Sequence, residues 1–475
     1  MSNFTLHSPE SLEQSSLNFF QLAAIQLKIR YNAGLSFAAT EPSTIASLWY
    51  KTIATHGAHL QVGLARLAND PTKARPLLVR QPLNIDEGGA SSKIKLNFAP
   101  PIVAPLEGRS LEEILVSNLY PETELPITGP ALLFLFTNEK NEAVSLVVNL
   151  CAALWDATTI SSILQTFMTL LHETKNKKMP ASSNSPAPSM KDLYTQLGGW
   201  EKYIQQEASK NNQEPIFLPM ISSSKSNKEL GNIVGITDIL QGPPAKTLQD
   251  RRVSVTFDAE IVGGCKNIME PRGVTLGKLM NACFVFGLAE IYFREHLDES
   301  IVTLVQSTQL DPRTLLGDDN IPRNYIQALG IISHGSTVTR DELASATLSS
   351  PLSFVEWLVT EAKRIDADIQ TRMERGEGLH RTLEIATGKI DPSQRVAACI
   401  EIVDHGGYDT PSEEYSIELG HRMDICPHTS IVVHSELASG KIKVEAQIGK
   451  EQGRDATVQW LNRCTELWKL VATST

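Results

Sequence analysis

Residues 144–154 (VSLVVNLCAAL) are almost continuously apolar. The run is too short and too rich in β-branched side chains for a membrane span, and it predicts a strand covered on both faces. Asp156 stands at its end. Thr158 and Thr159 can cap a helix, and Ile160, Ile163, Leu164, Phe167, Leu170 and Leu171 then recur at helical spacing. Ahead of this segment the pattern predicts helices over 11–31 and 45–55, and short strands over 60–67, 76–80, 94–98 and 131–136. A turn at 138–141 leads into the central strand. Strands alternating with helices indicate an α/β fold.

Residues 175–189 (KNKKMPASSNSPAPS) are charged and then rich in Pro, Ser and Ala, the pattern of a linker. This divides the chain into a first lobe over 1–176, a linker over 177–192 and a second lobe over 193–475. The second lobe reads as a strand over 251–257 and an apolar helix over 276–293 capped by Thr275. A strand over 301–309 follows, ending at Leu310-Asp311-Pro312-Arg313. A long helix over 352–375 carries Phe354, Trp357, Leu358 and Ala362 on one face. A strand over 396–403 is ended by Asp404-His405-Gly406-Gly407-Tyr408. A hairpin over 429–435 and 441–448 and a final helix over 455–470 complete the chain.

The net charge of −11 and the isoelectric point near 5.6 argue against a nucleic-acid surface or a polybasic membrane anchor. Six cysteines without close pairing read as reduced, mostly buried thiols. No secretory signal, membrane-length apolar run or lipidation signal is read, so a cytoplasmic protein is expected. There is no HExxH, P-loop, Gly-x-Ser-x-Gly elbow or Cys/His metal spacing, and no metal is expected.

The strand–acid–helix segment resembles the active-site segment of the CoA-dependent acyltransferase superfamily. That group includes peptide-synthetase condensation domains, BAHD-type acyltransferases and trichothecene-type acetyltransferases. Its motif reads His-His-x-x-x-Asp-Gly before a helix. Here the same register reads Cys151-Ala152-Ala153-Leu154-Trp155-Asp156-Ala157, so the Asp is present but both histidines and the glycine are not. Asp311-Pro312-Arg313 is similar to the family's D-x-R segment. As a pattern of elements the resemblance covers nearly the whole chain; its specific motifs are the two around Asp156 and Arg313. It implies two chloramphenicol-acetyltransferase-like lobes, each a mixed sheet with flanking helices, around a central tunnel, in a monomer. It also implies that Asp156 and Arg313 form a structural ion pair. In the family the second histidine is the general base, and Ala152 occupies its place.

Either the base was moved, or the reaction needs none, or there is no reaction. His405 is the first candidate for a moved base, with His421 and His334 behind it; the bland reading of each is an ordinary hydrogen-bonded histidine. Tyr408 and Asp404 are near enough in sequence to orient an imidazole at His405. Cys151 reads as a packed thiol and His172 lies too far along its helix to replace the base. Ala152, Leu154, Trp155 and Tyr408 are the expected tunnel residues. Three functions are in view. The first is a biosynthetic enzyme of secondary metabolism that positions an apolar small molecule for cyclisation or cycloaddition. The second is an acyltransferase with acyl-CoA as co-substrate or a carrier protein as donor. The third is a catalytically silent binding protein. No cofactor is required by any of them.

Overall fold

The computed structural model describes residues 5–6, 14–16, 30–56, 62–67, 77–80, 101–119, 131–151, 157–175, 233–234, 239–243, 245–247, 249–310, 330–374, 400–408, 414–422, 430–436, 440–448 and 453–474. The fold is mixed α/β, in two compact units. One holds Met1–Tyr203, Leu316–Ala328 and Tyr408–Asp424; the other holds Ile204–Leu315, Leu329–Gly407 and Ile425–Thr475. The sequence-derived linker over 177–192 lies outside the described residues.

The first unit opens with β1 (Thr5–Leu6), β2 (Gln14–Ser16), β3 (Arg30–Thr40), helix α1 (Pro42–His56), β4 (Val62–Leu67) and β5 (Leu77–Arg80). β1, β4, β5 and β2 make a small four-stranded sheet. β6 (Ile102–Pro105), α2 (Leu111–Leu119), β7 (Ala131–Thr137), β8 (Ala143–Cys151) and α3 (Ala157–Lys175) follow. The predicted central strand is β8. It is buried on both faces because β3 and β7 flank it and both odd and even positions from Ser145 to Leu150 are enclosed. The predicted helix after it is α3, with Ile160, Ile163, Leu164 and Phe167 buried and the Phe167 ring 5.9 Å from Trp49 of α1.

The expected helix over 11–31 is corrected at 14–16 and 30–31; its remaining positions lie outside the described residues. Gln14–Ser16 and Arg30 onward are strands. Tyr31, Ala33, Leu35 and Phe37 alternate on β3 and are all buried, and cross-strand pairing with β8 makes this segment a strand. The expected strand over 94–98 lies outside the described residues.

The second unit contains β9 (Ile233–Val234), β10 (Arg252–Phe257), α4 (Ala259–Met269), α5 (Leu276–Glu295), β11 (Ile301–Leu310), β12 (Gly330–Thr339), α6 (Arg340–Ser349), α7 (Pro351–Glu374) and β13 (Ile400–Tyr408). The chain then supplies β14 (Ser416–Arg422) to the first unit, and closes the second with β15 (Ser430–Glu436), β16 (Lys441–Gln447) and α8 (Arg454–Thr473). The second unit's sheet has seven strands, with β10, β16, β15, β13, β11 and β12 in order and β9 beside β11. The first unit's main sheet runs β14, β3, β8, β7, β6.

α5 is the core of the second unit. Thr275 caps it, as the sequence predicts, accepting from the Lys278 N–H. By length and composition it passes for a membrane span, yet 72% of that window is buried within the unit. Phe286 meets Phe354 and Trp357 of α7 at 5.1 and 5.0 Å, and Phe284 meets Trp460 of α8 at 5.3 Å. β13 corrects a second expectation. The segment Asp404–Tyr408 does not end the strand but belongs to it, so His405 is a strand residue and not a loop residue.

Candidate functional site

β8 ends at Cys151 and α3 begins at Ala157. The connection between them carries Ala152, Leu154, Trp155 and Asp156; these residues and Arg313 lie outside the described residues. What the structure does describe is how the strand feeding that connection is held.

Across the sheet, Arg30 of β3 is the register partner of Cys151, and Asn32 is the partner of Asn149. A chain of hydrogen bonds runs through this buried corner. Arg30 Nη1 donates to Asn149 Oδ1 at 3.5 Å, Asn149 Nδ2 donates to Asn32 Oδ1 at 2.5 Å, and Asn32 Nδ2 donates to the Leu115 carbonyl of α2 at 3.3 Å. The strand end is thereby tied to the helix lying over the same face. Further along, Ser36 and Ser145 share a hydrogen bond of 3.1 Å. Buried amides that are hydrogen-bonded fix register where an apolar pair would tolerate a slip.

α2 approaches this face closely because glycine lets it. A Cβ at Gly420 of β14 would stand 2.6 Å from Leu115 Cδ2, and Leu115 is itself fully buried. The segment before β14 is anchored to α3: the Tyr415 ring lies 6.4 Å from His172, and Lys175 reaches Glu414 at 4.0 Å and the Ala38 carbonyl at 3.2 Å.

Two of the candidate bases, at positions 334 and 405, separate by strand face. His334 of β12 is opposite Gln306 of β11, on the face that also carries Val302, Leu304, Ser336 and Val338. That face lies under helices: Gln306 Nε2 donates to the Asn281 carbonyl of α5, and Arg364 of α7 to the Gly335 carbonyl. His334 is fully buried, with Nε2 3.3 Å from Thr308 Oγ1. Burial pushes its imidazole down to about 4; Asp368 opposes this, while Arg372 and Arg364 reinforce it. His334 is therefore a neutral core residue, closed to any substrate in this structure.

β13 pairs with β11 in parallel, Ser307 opposite Glu401 and Thr308 opposite Ile402. Alternation from that register puts position 405 on the face of Ser307 and Thr303, opposite to that of His334. On that face the Thr303 and Thr337 hydroxyls meet at 3.0 Å in an exposed contact. Tyr408 is the last residue of β13. His421 is on β14 opposite Tyr31. The side chains of His405, Tyr408 and His421 lie outside the described residues.

Among the described residues no group of three or more His, Cys, Asp or Glu is placed to hold a metal ion. Sequence reasoning missed Arg30, Asn32 and Asn149. Their signal was present: an amide interrupting the apolar run of β8, and a second in Arg30-Tyr31-Asn32-Ala33.

No family model and no curated protein matches the chain. Solved structures do. The first condensation domain of the calcium-dependent antibiotic synthetase, in complex with a substrate analogue, is 14% identical, with a TM-score of 0.61 over 97% of this chain and 97% of that one. The trichothecene 15-O-acetyltransferase of Fusarium sporotrichioides is 13% identical, with a TM-score of 0.61 over 98% of this chain and 97% of that one. The epimerization domain from the third module of tyrocidine synthetase B is 10% identical, with a TM-score of 0.58 over 99% and 98%. The chain thus has the two-lobed fold of condensation domains and acyltransferases along nearly its whole length.

Proposed function

We propose that the chain is a biosynthetic enzyme acting on a small molecule, built on an acyltransferase-type scaffold that lacks a general base at the motif position and works by positioning its substrate. The observation that carries this reading is Ala152, standing where the motif has its base, between a strand and a helix that are both built and anchored. A positioned base is worth roughly 10²–10⁴-fold in a proton-transfer reaction. Holding reacting groups together reaches effective molarities of about 10⁵–10⁸ M without any proton transfer. A scaffold stripped of its base therefore suits an intramolecular cyclisation or cycloaddition of a flexible apolar substrate. Asp156 and Arg313 are assigned to holding the scaffold. That one fold serves several chemistries supports the reading: the three solved proteins are named for condensation, acetyl transfer and epimerization.

The second reading is acyl transfer from acyl-CoA or a carrier protein, with His405 as the base. It is favoured by the position of His405 on the sheet face opposite the helix-covered one.

The test expresses wild type, Ala152→His and His405→Ala, and incubates each with acyl-CoAs and candidate acceptors while free thiol and products are followed. Positioning without a base predicts no thiol release by wild type and gain of transfer by Ala152→His. Thiol release by wild type that His405→Ala abolishes would replace the first reading by the second.

A further inference from the structure

The side that α7 turns inward changes character halfway along. In the first half its inward residues are Phe354, Val355 and Leu358, all buried and apolar, and the Phe354 and Trp357 rings lie against Phe286 of α5. In the second half, at the same helical spacing, they become Glu361, Ile365, Asp368 and Arg372. Beneath them the helix-covered face of β11 and β12 changes in step. Val302, Leu304 and Val338 give way to Gln306, Thr308, His334 and Ser336. Arg364 spans the two layers, with Nη1 donating to the Gly335 carbonyl at 3.3 Å. Among the described residues, Gln306 Oε1, His334 Nδ1 and Ser336 Oγ are buried without a hydrogen-bond partner, so this polar seam is held less tightly than the apolar one beside it.

The charges of the seam stand in opposite pairs. Arg364 donates to both Glu361 oxygens at 2.8 and 2.7 Å, and Arg372 Nε reaches Asp368 at 3.0 Å. Alongside, Lys278 of α5 is engaged by Asp366 at 2.9 Å, and Glu342 of α6 by the Thr339 hydroxyl at 2.7 Å. β11 and β12 bring Gln306, Thr308 and Ser336, none of them charged. A proton on His334 would therefore create a buried cation facing the Arg364 and Arg372 guanidiniums and one carboxylate, Asp368, already engaged by Arg372. We propose that the second half of α7, residues 361–374, is a detachable arm held down by neutral His334. A proton taken up from solvent at this imidazole releases the arm from β11 and β12, while the first half stays docked on α5. The docked imidazole titrates at about 4 and a released one near 6.5, so release is favoured as pH falls through 6.5, and the gain saturates below 4 at about 300-fold.

The experiment follows amide hydrogen exchange of the full chain by mass spectrometry at pH 7 and at about pH 4.5, with rates corrected for the intrinsic effect of pH. Protection over 361–374 is expected to fall about tenfold or more at the acid pH and to return on neutralisation, while 351–360 and α8 keep theirs. His334→Asn, which cannot take up the proton, should show the same protection of the arm at both pH values. Exchange of the His334 ring C2 hydrogen reports protonation in wild type, and its midpoint should coincide with that of the arm; this reading decides the matter should His334→Asn fail to fold. The proposal is overturned if 361–374 stays protected at the acid pH, or if it loses protection only together with α8. It is equally overturned if His334→Asn still releases the arm on acidification, or if the two midpoints differ.

Discussion

Asn149 and Asn32 face each other across β8 and β3, and the Asn149 side-chain amide donates to Asn32 Oδ1 at 2.5 Å in the interior of the first unit. Neither side chain has water to fall back on. Asn149→Leu is expected to cost about 1–3 kcal/mol in denaturant unfolding, because it leaves buried polar atoms of Asn32 and Arg30 short of a partner. Adding Asn32→Leu should recover part of that cost. Strict additivity of the two single changes would show that the amides do not act as a pair.

His334 gives the second unit an acid sensitivity with a defined window. Its folded value of about 4 lies below the ordinary histidine value near 6.5, so the native state binds fewer protons than the unfolded chain. Both states are neutral above pH 6.5, and no stability is lost there. As pH falls from about 6.5 to 4 the unfolded imidazole is protonated first, and of order 3 kcal/mol is lost. Melting temperatures of wild type and His334→Leu across that range should converge toward acid. Parallel curves would mean that His334 is protonated in the native protein.

Cys265, Cys283 and Cys464 are fully buried among α4, α5 and α8. Burial pushes Cys265 up to about 12 and holds Cys283 and Cys464 well above the usual thiol range. The thiolate is the nucleophile, so these three are expected to resist alkylation in the native protein and to label once it is denatured. Peptide mapping after brief treatment with iodoacetamide checks this. Native labelling of Cys464 would reveal an opening of the α5–α8 interface.

Gly453 caps α8, and its N–H donates to the Leu240 carbonyl at 2.8 Å. A Cβ there would stand 2.7 Å from Gly242 Cα and 2.8 Å from the Gln241 carbonyl oxygen. Both are backbone atoms that cannot swing aside. Gly453→Ala should destabilise by at least about 1–3 kcal/mol, whereas Gly263→Ala, whose added Cβ meets nothing within 4 Å, should not incur that clash. Equal melting temperatures for the two variants would refute the close approach.

Elements bounded by local chemistry were legible in the sequence. α5 announced itself through Thr275 and an unbroken apolar run, β8 through its β-branched residues, and the β15–β16 hairpin through Gly440, which adopts a φ of 68°. Elements defined by distant partners were not. β14 (SIELGHR) mixes charge and glycine and becomes a strand only beside β3. The helix expected over 11–31 reaches only the first two residues of β3, and no element is expected over 32–40, because the Tyr31-Ala33-Leu35-Phe37 alternation is short. The candidate bases show the same limit. His334 and His405 look equivalent as letters, and only strand register reveals that one lies beneath helices and the other on the opposite face.

The late arrival of β14 also sets a clock on synthesis. Ser416 pairs with Ser36, about 380 residues earlier in the chain. On a ribosome adding about 5–20 residues per second, β3 waits roughly 20–80 s for that neighbour. During that interval the emerging first unit presents an open sheet edge to whatever else the cell contains. Chaperone demand should therefore peak before residue 422 is made. A polypeptide cut within residues 177–192 should remain aggregation-prone however well its own hydrophobic pattern is formed.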